Sequence, residues 1–192
     1  MEQKTRKMMH ELKKTLDKDR YEHTLGVMYT SAAMAMRYNA DVEKALLAGL
    51  LHDCAKCIPG QKKLKLCKKY HLTVSEAEHD NPGLLHAKLG AFLASAKYHV
   101  KDREILNAIA SHTTGRPRMS LLEKIVYIAD YIEPGRQNLP NMEVVRKLAF
   151  EDINECLYRI LNDSLTYLKS RDIVIDFMTE ETYNYYKKLL GK

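Results

Sequence analysis

Tryptophan is absent from this 192-residue chain; phenylalanine occurs three times, cysteine four, proline five and glycine eight. With so few turn-forming residues, and with Ala, Leu, Lys, Glu and Met prominent, helix is favoured nearly everywhere. No apolar run approaches the length of a bilayer span, so no membrane partner is expected. The opening MEQKTRKMMHELKK is charged with no apolar block behind it, which argues against a signal peptide and for a cytoplasmic protein. Cys54 and Cys57 form a C-x-x-C, but Cys67 and Cys156 do not make the second pair that a structural zinc wants. A redox dithiol would want a strand-to-helix turn, which this helical context lacks, so the thiols read as reduced core residues.

Charge excludes less. A net charge of +6 suits an anionic ligand such as a nucleotide, yet it also describes many proteins that bind nothing anionic. The run KKLKLCKK at 62–69 reads as a solvated helix face. No base-stacking pattern or recognition helix accompanies it, and no nucleic-acid partner is expected.

What the chain does have is apolar spacing of three and four residues almost throughout. Helices are expected near 2–15, 20–38, 41–54, 61–70, 83–98, 102–112, 120–132, 141–168 and 180–190. Asn39-Ala40-Asp41 reads as a turn with Asp41 capping the third helix, while Pro59-Gly60, Pro82-Gly83, Gly115 and Pro134-Gly135 punctuate later ones. Only the stretch Arg171–Asp176 is β-like. No repeat or low-complexity linker divides the chain, so residues 1–192 are expected to form one all-α domain.

Polar residues interrupt the apolar faces at a few points. GLLHDCAK at 49–56 sets His52 and Asp53 at the end of an apolar helical run. Adjacent helix residues point about 100° apart, so one atom touching both must lie at the edge between them. His23 shares a ridge with Val27 and Ser31, Asp130 one with Leu122 and Val126, and His86 one with Leu89, Gly90 and Leu93. An inward carboxylate without a partner costs several kcal/mol, which a divalent cation removes. A lone inward histidine is usually a hydrogen-bonded core residue, and His10, His71, His79 and His99 read that way or as surface. His23, His52, Asp53 and Asp130 together, on separate helices, make a mixed nitrogen and oxygen donor set that favours a metal site.

The order His23, His52-Asp53, Asp130 resembles that of the HD-domain metal-dependent phosphohydrolases, an all-helical superfamily in which His86 and His112 would occupy intermediate histidine positions. Within that superfamily, RYEHTLGV at 20–27, LLHDCAK at 50–56, HTTG at 112–115 and YIADYIEPGR at 127–136 are similar to the bacterial YqeK family, over about residues 20–184. The resemblance implies a single HD-domain helical bundle, a homodimer, and symmetrical hydrolysis of diadenosine tetraphosphate, a dinucleoside polyphosphate, to two ADP with bound iron. Manganese, cobalt, nickel or zinc would suit the same donors. Carried onto this chain, it implies that His23, His52, Asp53 and Asp130 hold the metal. It implies that Arg20, Lys56, His86, His112, Thr113 and Arg136 contact phosphate. Asp53, Lys56 and His112 would take part in catalysis, and Asp172, Ile173, Val174 and Ile175 would lie near the nucleoside. Cys54 and Cys57 stand where the family usually has apolar residues, which leaves the chemistry untouched and adds a site for oxidation.

The residue types fit that chemistry. Phosphoanhydride hydrolysis needs a nucleophilic water, neutralised phosphoryl charge and a stabilised leaving group, and a metal supplies the first and helps the second. Lys56 lies one turn after Asp53, and Arg136 follows a Pro-Gly stop where a loop can bring guanidinium to two oxygens; each could instead be a solvated charge. His112 could donate to a phosphate or departing oxygen, or simply bond the last carbonyls of its helix. A single metal with His86 and His112 facing phosphate is preferred to two bridged by Asp53, because no further inward carboxylate is evident. Another HD-type nucleotidase or cyclic-nucleotide phosphodiesterase, or a catalytically silent nucleotide-binding domain, are the alternatives.

Overall fold

The computed structural model describes residues 3–137, 139, 141–171 and 173–192. Two helices, α2 (Lys18–Arg37) and α3 (Val42–Leu51), pack along each other at the centre. Their approach depends on Gly49, where a Cβ would stand 2.9 Å from Met28 Cα and 3.1 Å from the Val27 carbonyl oxygen. A side chain there would push α3, and the residues that follow it, away from α2. Against this pair lie α7 (Arg103–Ser111) and α8 (Leu121–Ile132), with α1 (Gln3–Thr15) at one side. Leu12, Val27, Met28, Leu50, Leu51, Ile109, Ile125 and Ile128 are buried where these helices meet. The helices α4 (Gly60–Lys69) and α6 (His86–Ala96) close a smaller cluster around Ala55, Cys67, Leu85 and Leu89, with the short α5 (Glu76–Asp80) between them in the chain. Last come α9 (Met142–Glu151), α10 (Ile153–Lys169) and α11 (Phe177–Leu189), with α10 resting on α8.

Capping sets where most of these elements begin. Asp17, Asp41, Ser75, Asp102, Ser120, Asp152 and Asp176 each turn a side-chain oxygen onto a first-turn N–H. At Ser75 and Ser120 the glutamate three residues on completes a reciprocal capping box. Such a box starts α5, a helix the apolar spacing alone does not announce.

Several boundaries differ from expectation. The expected helix over 141–168 is two helices, because Asp152 adopts an extended backbone (φ −140°, ψ 103°) and spends its carboxylate on the Asn154 and Glu155 N–H groups. The third helix stops at Leu51 rather than 54, and tight turns such as Cys54 N–H to the Leu51 carbonyl carry residues 52–57 onward. His52 nevertheless keeps helical backbone angles (φ −53°, ψ −42°), so the edge-on placement of His52 and Asp53 survives. The β-like stretch forms no strand among the described residues; it is loop, and α11 starts at Phe177 under an Asp176 cap. No helix is long and apolar enough to cross a membrane.

Candidate metal centre

His23 comes from α2, His52 and Asp53 from the turn after α3, His86 from the start of α6, His112 from the end of α7 and Asp130 from α8. Five elements thus aim side chains at one point. Asp53 sits in the middle, its side chain 2 % exposed. Its Oδ2 accepts from Arg20 Nη1 at 2.7 Å and faces His52 Nε2 at 3.4 Å and His23 Nε2 at 3.9 Å. Its Oδ1 faces His86 Nε2 at 3.2 Å, His112 Nε2 at 3.6 Å and Lys56 Nζ at 3.8 Å. Asp130 Oδ1 lies 3.0 Å from His23 Nε2 and 3.9 Å from His52 Nε2, and Arg136 Nη2 donates to it at 3.0 Å.

The tautomers follow from what the other ring nitrogens touch. His52 Nδ1 lies 2.7 Å from the Gly49 carbonyl oxygen, His86 Nδ1 2.6 Å from that of Gly83 and His112 Nδ1 2.7 Å from that of Ile109. A carbonyl only accepts, so each Nδ1 carries the hydrogen and each Nε2 of a neutral ring offers a lone pair. His23 does the same through Glu133 Oε1 at 3.0 Å. Lone pairs and carboxylate oxygens therefore meet with few hydrogens between them. The His86 and His112 Nε2 atoms are 3.0 Å apart. His23 Nε2, His52 Nε2 and Asp53 Oδ1 are buried without a hydrogen-bond partner among the described residues. Buried acceptors facing one another are costly, and a cation among them removes the cost. The donor set therefore fits a divalent metal. Within it two overlapping groups converge, His23-His52-Asp130 and His52-Asp53-His112.

Electrostatics agree with that charge pattern. Burial works to raise the Asp53 and Asp130 carboxyls, but the surrounding imidazoles override it and hold both well below the usual range, so both are anions. Burial pushes His86 down to about 4, keeping its ring neutral near pH 7. Burial also pushes the Cys54 thiol up to about 12, whereas Cys57, expected in the core, is exposed instead, with its Sγ donating to Asp17 Oδ2 at 3.3 Å. Both thiols stay protonated and outside the converging groups.

Of the residues expected at phosphate, Lys56, His86, His112, Thr113 and Arg136 share the lining of one cavity of about 230 Å³ with Asp130, Tyr127 and Tyr131. Lys56 Nζ donates to His86 Nε2 at 3.1 Å. Arg20 is not part of that lining and holds Asp53 instead. Ile173, Val174 and Ile175 do not line the cavity either, and the first two are half exposed; Asp172 lies outside the described residues. A second, more apolar cavity of about 410 Å³ shares Thr113, Tyr127, Tyr131, Leu139 and Ser164 with the first and adds Tyr167, Leu168 and Asp163.

Sequence reasoning missed the tyrosines of this wall and the inward carboxylate Glu133. Tyr127 and Tyr131 stand four residues apart on α8 beside Asp130, a spacing that could have placed them on one face. Glu133 had no such signal, because it follows the last helical residue. The lysine run at 62–69 is mostly solvated as expected, except that Lys63 is 4 % exposed and donates to the Lys56 carbonyl at 3.1 Å, bracing the His52-Asp53 turn.

Residues 20–135 match the HD domain family. The chain is 40% identical over 91% of its length to a symmetrical bis(5'-nucleosyl)-tetraphosphatase of Bacillus subtilis, covering 92% of that protein. It is 34% identical over 91% to one of Staphylococcus aureus, covering 90%. A crystal structure from Clostridium acetobutylicum, described as a predicted HD superfamily hydrolase involved in NAD metabolism, superposes with a TM-score of 0.92 at 41% identity, covering 96% of this chain and 97% of that one.

Proposed function

The chain belongs to the HD domain family, and from that membership and the geometry of its His/Asp cluster we propose that it is a symmetrical bis(5'-nucleosyl)-tetraphosphatase, hydrolysing diadenosine tetraphosphate to two ADP. One observation carries the proposal: buried histidine and aspartate acceptors converge beside a cavity whose rim holds Lys56 and Arg136. His23, His52, Asp53 and Asp130 would hold the metal, which we take to be iron. Such an ion supplies an activated water and a Lewis acid for the phosphoryl oxygens.

The chain's own residues supply the rest. Lys56 and Arg136 flank the cavity and would neutralise phosphate charge, Lys56 as a point charge and Arg136 through a planar fork. His86 and His112 turn their Nε2 atoms toward each other at 3.0 Å on the cavity wall, where His112 would face a departing phosphate oxygen. Thr113 Oγ1, within 3.3 Å of both rings, orients them. One nucleoside would lie in the adjoining cavity against Tyr127, Tyr131 and Tyr167, leaving its second phosphorus toward the metal ligands. Arg20 holds the Asp53 carboxylate in place through Oδ2 and so keeps that anion beside His52. The homodimer implied by the family is part of this reading.

A second reading keeps the reaction and changes the metal count. It is favoured by the second converging group, His52-Asp53-His112, which would make Asp53 a bridge between two ions. Protein purified without oxygen is assayed for metal content and for products from diadenosine tetraphosphate. Iron with ADP as the sole product supports the proposal, and ATP plus AMP removes it. Two tight equivalents per chain, one lost in His86→Ala, would select the two-ion reading.

A further inference from the structure

His23 differs from the other three site histidines in one respect: its Nδ1–H goes to a carboxylate, Glu133 Oε1, where theirs go to main-chain carbonyls. Glu133 is 3 % exposed, and its other oxygen accepts the Gly135 N–H at 2.6 Å. No lysine or arginine side chain reaches either oxygen among the described residues. A buried carboxylate held by one imidazole and one amide is expensive unless further positive charge lies near. The chain makes room for it deliberately. A Cβ on Gly26 would run into Glu133 Oε2, and one on Gly135 would stand 2.9 Å from Oε1. The loop that bears Glu133 is pinned from α9 by Arg146, which donates to the carbonyls of Ile132, Glu133 and Arg136, each at 3.0 Å.

We propose that Glu133 is a positioning residue for the metal: it fixes His23 with the Nε2 lone pair turned to Asp130 and His52, and strengthens that nitrogen as a donor. Gly26 and Gly135 are small so that the carboxylate can stand behind the ring. The inference rests on reading the His/Asp cluster as a metal site. It uses a general property of metal histidines, whose outer carboxylate partner fixes the ring and is worth about 10–100-fold in affinity. It also explains why Glu133 does not serve as a ligand itself: it faces Nδ1, on the far side of the imidazole from the cluster.

Cobalt(II) is the probe, bound to the full chain in competition with a chromophoric chelator. Two variants are compared with the unmodified protein. Glu133→Gln keeps an acceptor for His23 but removes the charge, and Gly26→Ala displaces the carboxylate without altering it. The expected result is a dissociation constant raised roughly 10–100-fold in Glu133→Gln and raised in the same direction in Gly26→Ala. At saturating metal, Glu133→Gln should lower kcat and leave KM for diadenosine tetraphosphate near its original value, a split that mere loss of packing would not give. If Glu133→Gln does not fold, the Gly26→Ala affinity decides alone. Cobalt affinities within about twofold of the unmodified protein in every folded variant would overturn the inference while leaving the metal site standing. No cobalt binding by the unmodified protein would remove the metal-site reading itself, and this inference with it.

Discussion

Glu123→Ala tests how the phosphate side of the cavity is held in place. Glu123 is fully buried, and its carboxylate takes Arg116 Nε and Nη2 at 2.6 Å each, Ser111 Oγ at 2.9 Å and the Ser120 N–H at 2.7 Å. Those bonds tie the end of α7, the loop through 116 and the start of α8 into one unit, and His112 and Thr113 lie between the tied points. The arginine side chain is 41% exposed, so once released it is hydrated and its share must be discounted. Ser111 is 7% exposed and would keep an unpaired hydroxyl. Taking roughly 1 kcal/mol each for the Ser111 and Ser120 bonds and, after that discount, about 1 kcal/mol for the two arginine bonds together, the substitution should cost about 3 kcal/mol. For a chain of this length that lowers Tm by about 6–12 °C. Burial works to raise the Glu123 carboxyl, but Arg116, the Ser120 N–H and Ser111 lower it further and leave it below its ordinary value. A depressed carboxyl stabilises the fold above its unfolded value and loses that contribution as pH falls through its folded value. The gap between the two proteins in chemical denaturation should therefore be full at neutral pH and shrink in acid. A Tm change below about 2 °C at neutral pH, or a gap that widens in acid, would show that Glu123 does not hold these elements together.

Three further outcomes concern the chemistry. Asp53→Asn should lower metal content to a small fraction and activity by orders of magnitude while the helical circular dichroism persists, since it removes the anion between His52, His86 and Arg20; retained metal and turnover would show the pair is misassigned. Lys56→Ala should cut kcat/KM roughly 10–100-fold with metal content unchanged, because a charge facing both His86 and the cavity is lost; a change under about threefold would make it a solvated lysine. Arg136→Ala should weaken substrate binding and slow turnover together, each roughly tenfold, with metal content unchanged; unaltered kinetics at subsaturating substrate would confine Arg136 to pairing with Asp130.

Much of this was legible in the residues. The apolar spacing gives the helical class and most elements, and the inward histidines and aspartates that break it do meet at one point. Lys56, His86, His112, Thr113 and Arg136, which the resemblance put at phosphate, line one cavity. What was hidden follows from local capping and tertiary contact. Asp152 splits a continuous apolar pattern because its carboxylate serves the next helix better than the current one. The pairing of Arg20 with Asp53, 2.7 Å from guanidinium to Oδ2, joins residues thirty-three apart and has no signal in the sequence. Glu133 shows no periodic signal because its partners, Gly26 and His23, are more than a hundred residues away in the chain.

Water is expected to attack the second phosphorus from a bound nucleoside, beside the His52-Asp53 cluster, with departure of the other nucleoside diphosphate. A single turnover of diadenosine tetraphosphate in heavy-oxygen water, with products separated and weighed by mass spectrometry, tests it directly. ADP alone is expected, with one heavy oxygen on the β-phosphate of one of the two ADP molecules. Label appearing in AMP or ATP would mean that the bond breaks elsewhere, and symmetrical cleavage would fall even if every metal ligand proved correct.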